Sequence, residues 1–262
     1  MNYLEKIRKS TNKKGNYLCV GIDPDLARIP DQFDQTVEGV RTFCKELINV
    51  TSNLTPAYKL NLAFFEIWGG EGWDLIEELL DLIPDDIFVI GDAKRGDIGN
   101  SSKFYARALL ENMNFDAVTI NPYLGSESII PFLKNPEKGV FVLCVTSNPS
   151  GRELQDHGQP MLYIETARIC QKLNDKNNVG LVMGATKPEQ LIEIREEFPE
   201  MPFLIPGIGT QGGALEAALQ VCNEIDAGLI NVSRSISYAE GKFPQNIRKS
   251  AKKYIKIFKK NR

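Results

Sequence analysis

With 262 residues, 42% of them apolar, the chain has enough hydrophobic side chain for one large core, which excludes an intrinsically disordered protein. Its 31 basic and 34 acidic residues leave a formal charge of −3, so nothing global selects a nucleic acid or a membrane surface as partner. Cys19, Cys44, Cys144, Cys170 and Cys222 are widely spaced among apolar residues and read as reduced thiols of a cytoplasmic protein, and His157 is the only histidine, so a His/Cys metal site has no ligands.

Read from the N-terminus, residues 1–14 are polar and lack the apolar centre of a signal peptide. A first β-rich run at 17–22 ends in Gly21-Ile22-Asp23-Pro24-Asp25 and is followed by helical periodicity at 37–50. A second, at 57–60, ends in Lys59-Leu60-Asn61 before a helix over 74–82. The third, at 87–90, runs out through Gly91-Asp92-Ala93-Lys94 before a helix over 101–112. Strand four, 117–120, ends in Asn121-Pro122-Tyr123. Strand five, 140–145, ends in Thr146-Ser147-Asn148-Pro149, with a helix over 162–173. Strand six, 180–183, precedes a helix over 188–198, and strand seven, 203–205, precedes Pro206-Gly207-Ile208-Gly209 and a helix over 214–221. Strand eight, 228–232, ends in Ser233-Arg234-Ser235. The longest apolar run, 140–145, is far too short to span a bilayer. Residues 242–262 are basic without a single acid, yet Ile247, Ala251, Tyr254, Ile255 and Phe258 recur at helical spacing, as in a last amphipathic helix with a solvated basic face.

Eight strands alternating with helices predict a parallel α/β sheet with right-handed crossovers, and the length suits one (β/α)8 TIM barrel occupying residues 1–262 as a single domain. A doubly wound open sheet is the alternative. In a barrel, chemistry gathers at the C-terminal ends of strands, and nearly every predicted end carries polar or charged groups directly after an apolar run.

Asp92 and Lys94 lie two apart, so on a strand they share a face. Asp97 follows just beyond, and Lys59 and Asp23 end neighbouring strands. One reading is a buried salt bridge without chemistry, but several charges at one barrel mouth are costly unless paired and commonly mark function. A Schiff base at Lys94 is conceivable. Flanking carboxylates favour the protonated amine, hence a proton donor. His157, in a polar loop at 151–160, has no serine or cysteine partner, so no nucleophilic triad can be built; Arg95-Gly96-Asp97 as an adhesion motif is remote. The glycine-rich turn from Pro206 through Gln211 and Gly212 opens a helix, and Arg234 arrives from the next strand. Together they predict a phosphate site.

These blocks resemble the orotidine 5'-phosphate decarboxylase family in its longer bacterial and protist-type branch. The resemblance rests on Gly21-Ile22-Asp23-Pro24-Asp25, Ala63-Phe64-Phe65-Glu66, Asp92-Ala93-Lys94-Arg95-Gly96-Asp97-Ile98, Asn121-Pro122-Tyr123-Leu124-Gly125, Thr146-Ser147-Asn148-Pro149 and the turn 206–213. It implies a decarboxylase that needs no metal or organic cofactor. Asp92 would lie against the substrate carboxylate, Lys94 would protonate C6 of the pyrimidine, and Lys59 would bridge the charges to the ribose. Asp23 would hold a ribose hydroxyl, with Asn61 a ribose-side contact. It also implies a homodimer in which Asp97 and Ile98 reach the partner's site. Ser147, or Thr146 in its place, would meet the pyrimidine edge, while Gln211 and Arg234 would hold the 5'-phosphate beside Pro206 and Gly212. Two positions depart from the pattern: Ser101 stands where the family usually has threonine, and Ser233 where glycine is common before the arginine. Two rivals stay open, a metal-dependent sister barrel acting on sugar phosphates and a catalytically silent nucleotide-binding barrel.

Overall fold

Eight strands pair in parallel in chain order, and the last closes on the first, in this computed structural model, which describes residues 1–208 and 213–260. They are β1 (Leu18–Ile22), β2 (Ala57–Asn61), β3 (Phe88–Arg95), β4 (Ala117–Ile120), β5 (Gly139–Val145), β6 (Val179–Met183), β7 (Phe203–Ile205) and β8 (Leu229–Val232). The chain is therefore a (β/α)8 barrel, and the open-sheet alternative falls.

The helices are α1 (Tyr3–Lys14), α2 (Val37–Thr51), the single turn α3 (Ala63–Glu66), α4 (Gly70–Leu82), α5 (Gly99–Ala106), α6 (Ser126–Ile129), α7 (Arg152–Gln155), α8 (Leu162–Lys172), α9 (Pro188–Glu197), α10 (Gly213–Asn223), α11 (Arg234–Ser237) and α12 (Gln245–Lys260). The helix expected over 101–112 divides: after Ala106 the chain widens into a π-helical stretch, Arg107–Asn112. The basic C-terminal stretch forms α12 as its spacing predicts, burying Ile247, Ala251, Tyr254 and Phe258.

The two-residue period of the strands sorts the core into two shells. Leu18, Val20, Tyr58, Leu60, Val118 and Val142 face outward into the layer shared with the helices. Cys19, Ala57, Phe88, Ile90, Ala117, Phe141, Val182, Leu204 and Leu229 face inward and fill the lower barrel. Helix α1 has no counterpart among the expected elements. It plugs the N-terminal mouth with Tyr3, Leu4 and Ile7. The Tyr3 ring meets Phe88 edge-on at 5.6 Å and lies where a side chain on Gly139 would stand. Its polar surface hid this stripe, although an Asn2–Glu5 capping box marks its start and Gly15, at φ +64°, its end. All five cysteines are buried and unbridged, His157 is exposed, and no helix among the described residues is long and apolar enough to cross a membrane.

Candidate active site

The same inward columns that are apolar low in the barrel turn polar at its C-terminal end: Cys19 gives way to Gly21 and Asp23, Ala57 to Lys59, Ile90 to Asp92, Ala117 to Thr119 and Leu229 to Asn231. Asp92 is the hub. Its Oδ2 accepts from Lys59 Nζ at 2.9 Å, and its Oδ1 accepts from Lys94 Nζ at 2.6 Å and from the Thr119 hydroxyl at 2.9 Å. Lys59 Nζ also stands 3.5 Å from Asp23 Oδ1. Four of the charges foreseen from sequence thus form one array.

The array keeps its charges. Burial pushes the Asp92 carboxyl up, but the ammonium groups of Lys59 and Lys94 and their hydrogen bonds outweigh it and hold it well below the usual carboxylate range. Burial lowers Lys59, yet Asp23 and Asp92 raise it more, and the ammonium persists above its ordinary range. Lys94 differs in access: about half of its side chain is open to the cavity mouth, whereas Lys59 is buried.

These groups line one wall of a cavity of about 360 Å³. Leu143, Val182 and Leu204 supply its apolar side, and Thr146, Ser147, Asn148 and Pro206 its rim. A planar ligand would have an apolar slot on one side and fixed charges on the other. A larger groove beside it shares Leu143 but has no charged residue in its lining.

The remaining expected residues divide. Thr146 is already engaged: its N–H donates to Gln155 Oε1 at 3.0 Å, and its hydroxyl accepts from Gln155 Nε2 at 2.7 Å. Ser147 is exposed at the rim, its carbonyl accepting from the Thr186 hydroxyl at 3.3 Å. Asn61 ends β2 opposite Asp92 in the sheet register. Ser233 Oγ accepts from Asn231 Nδ2 at 3.2 Å, and a side chain on Gly21 would collide with it, so glycine is required at that β1–β8 contact. Arg234 opens α11, exposed at the end of β8 and outside the cavity lining. Gln211 and Gly212 lie outside the described residues.

Asp97 does not join its own chain's array; its Oδ1 accepts the N–H of Ile98 at 2.8 Å. Ser101 is likewise exposed, on α5. Around them is an unusual amount of uncovered apolar surface: Ile98 is 49% exposed, Phe104 63% and Tyr123 76%, with Ile67, Tyr105 and Leu124 also open. Arg95 ties this region together, pairing with Glu66, stacking over the Tyr105 ring at 5.5 Å and accepting at its carbonyl from Asn121 N–H. Reading the sequence misses Thr119, because a threonine within a β-rich run looks like an ordinary strand former, and likewise Leu143, Asn148, Val182 and Leu204 of the cavity lining.

Residues 16–249 match the model of the "Orotidine 5'-phosphate decarboxylase / HUMPS family". The orotidine 5'-phosphate decarboxylase of Herpetosiphon aurantiacus is 39% identical over 97% of this chain and 96% of its own length. That of a Roseiflexus species is 42% identical over 92% and 90%. Among solved structures, OMP decarboxylase from Leishmania donovani superposes with a TM-score of 0.87 at 36% identity, covering 100% of this chain and 98% of that one. An apolar slot walled by a Lys–Asp–Lys array at the mouth of a barrel, and a match running through nearly all of the chain, lead to one conclusion: the chain belongs to the orotidine 5'-phosphate decarboxylase / HUMPS family.

Proposed function

We propose that the chain converts orotidine 5'-monophosphate to uridine 5'-monophosphate and carbon dioxide in pyrimidine biosynthesis, with the pyrimidine in the slot beside Asp92 and Lys94. The observation that carries this reading is the ionised Asp92 carboxylate fixed between two ammonium groups on a cavity wall. A substrate carboxylate pressed toward Asp92 at about 4 Å would be repelled by roughly 4 kcal/mol at an effective dielectric of 20. Departure of carbon dioxide removes that repulsion and leaves an electron pair at C6, next to the half-exposed ammonium of Lys94. Lys94 then stabilises the pair and delivers the proton. Binding at the distant phosphate holds the two carboxylates together.

Lys59 would bridge the array to the ribose, Asp23 would take a ribose hydroxyl and Asn61 would lie beside it. Ser147 is the better candidate for the pyrimidine edge, since Gln155 already takes the Thr146 N–H and one acceptor site of its hydroxyl, whereas the Ser147 side chain is exposed at the rim. Arg234 and Gln211, with Pro206, Gly212 and Ser233 around them, would hold the phosphate; the position of Arg234 at a strand end next to the β1–β8 contact supports this. Replacing Arg234 by alanine should cut kcat/KM roughly 10- to 100-fold, mainly through KM, as expected for a lost charge-assisted pair. An unchanged KM would remove Arg234 from the site.

No metal is required on this reading. Between Asp23 and Asp92, where a divalent cation would bind in a sister sugar-phosphate barrel, stands the Lys59 ammonium. The uncovered apolar surface around Ile98 and Phe104 supports a homodimer in which Asp97 and Ile98 meet the partner's site. Mixed Lys94→Ala and Asp97→Ala chains, each inactive alone, should then recover up to about a quarter of wild-type activity, because half of a random mixture is hybrid with one intact site. No recovery on subunit exchange argues for unshared sites. The five buried free thiols support a reducing, cytoplasmic setting. The deciding assay is the loss of orotidine 5'-monophosphate absorbance in the presence of chelator. Steady turnover is expected, and none at all would overturn the proposal.

A further inference from the structure

Lys94 is built on an abnormal piece of strand. In the β3–β4 pairing, Gly91 stands opposite Val118 but Arg95 opposite Ile120, so the segment carrying Asp92, Ala93 and Lys94 bulges away from the regular ladder. Lys94 itself has φ +47°, and among the described residues it is the only non-glycine in a strand with a left-handed backbone. The other three, Asn114, Asn177 and Asp226, lie outside the strands and are Asn or Asp, the types that tolerate this region. A bulge of this kind leaves a backbone N–H without a ladder acceptor, and a strained residue persists only where its surroundings over-determine it.

Thr119 does both jobs. It is the β4 residue opposite the bulge and is 1% exposed. Its Oγ1 accepts the Lys94 N–H at 2.9 Å and donates to Asp92 Oδ1 at 2.9 Å. One hydroxyl therefore stands in for the missing ladder bond and fixes the carboxylate that receives the Lys94 ammonium. Valine has the same shape but neither hydrogen bond; serine keeps both.

We infer that Thr119 is a positioning residue for the decarboxylation, holding the backbone of Lys94 and the carboxylate of Asp92 together so that the ammonium leaves the strand toward the cavity. The inference rests on the roles proposed above for Lys94 and Asp92. It makes the bulge, the left-handed lysine and the threonine one device.

The test compares Thr119→Val, Thr119→Ala and Thr119→Ser in the full chain, with kcat counted per uridine 5'-monophosphate binding site. The valine and alanine variants should lose roughly 10²-fold in kcat, the cost of about 1 Å of misplacement, with KM and nucleotide affinity within about three-fold. The serine variant should stay within about five-fold of the parent kcat. Parent-like kcat per site in valine or alanine would overturn the inference. So would loss of nucleotide binding in both with serine intact, which would make Thr119 merely structural. Lys94→Ala, run alongside, separates the two levels: if it still turns over, the reading of the site fails. If it is dead while Thr119→Val is fully active, only the role of Thr119 fails.

Discussion

Lys94→Ala lowers kcat by roughly 10⁴-fold or more while uridine 5'-monophosphate still binds, if Lys94 both stabilises the C6 electron pair and protonates it. The magnitude follows from two effects lost together. General acid catalysis contributes about 10²–10⁴-fold and a preorganised charge at the developing anion about 10²–10³-fold. Binding persists because the groups proposed for the phosphate and ribose are other residues, and because Asp92 keeps Lys59 and Thr119 as partners. A variant with kcat within ten-fold of the parent would remove Lys94 from the chemistry. Steady-state turnover together with calorimetric nucleotide binding reads both halves.

Lys59→Met has the second large effect, and it reaches stability as well as turnover. Lys59 is buried and spans Asp92 and Asp23, so its loss leaves Asp92 with a buried charge and a weaker set of partners. Breaking one side of a buried pair costs about 3–5 kcal/mol, and the lower figure applies here because Lys94 and Thr119 remain. The pH dependence has a definite sign. The folded-state pKa of Asp92 is depressed, so its stabilising contribution is present at neutral pH and is lost as pH falls through the folded value. That of Lys59 is raised, so its contribution is complete at neutral pH and is lost only as pH rises through its folded value. In the variant, burial is less opposed and Asp92 protonates at higher pH. The stability gap from the parent, measured by denaturant unfolding, should therefore narrow between pH 7 and pH 4. A gap that widens on acidification would mean that Lys59 does not hold the charge of Asp92.

Much of this site was legible because strand periodicity and charge are local. The alternation that sends Cys19, Ala57 and Ile90 into the barrel also sends Asp23, Lys59 and Asp92 to its mouth, and each can be counted along the sequence. Lys94 shows where counting stops. Two-residue spacing puts it on the face of Asp92, as found, but the route is a bulge with a left-handed backbone that no spacing reveals. Thr119 was hidden for the same reason, since its importance lies in what it meets across the sheet. The preference for Ser147 over Thr146 rests on Gln155, nine residues away at the end of α7. Helix α1 escaped notice because three buried apolar side chains are enough to plug a barrel, and the rest of its sequence is polar.

The most direct test of the central claim is a crystal structure of the chain with uridine 5'-monophosphate. In that complex C6 should face the Lys94 ammonium at about hydrogen-bonding range, with Asp92 beside it and the phosphate against Arg234. A nucleotide seated with its pyrimidine turned away from Asp92 and Lys94, or with its phosphate far from the end of β8, would contradict it.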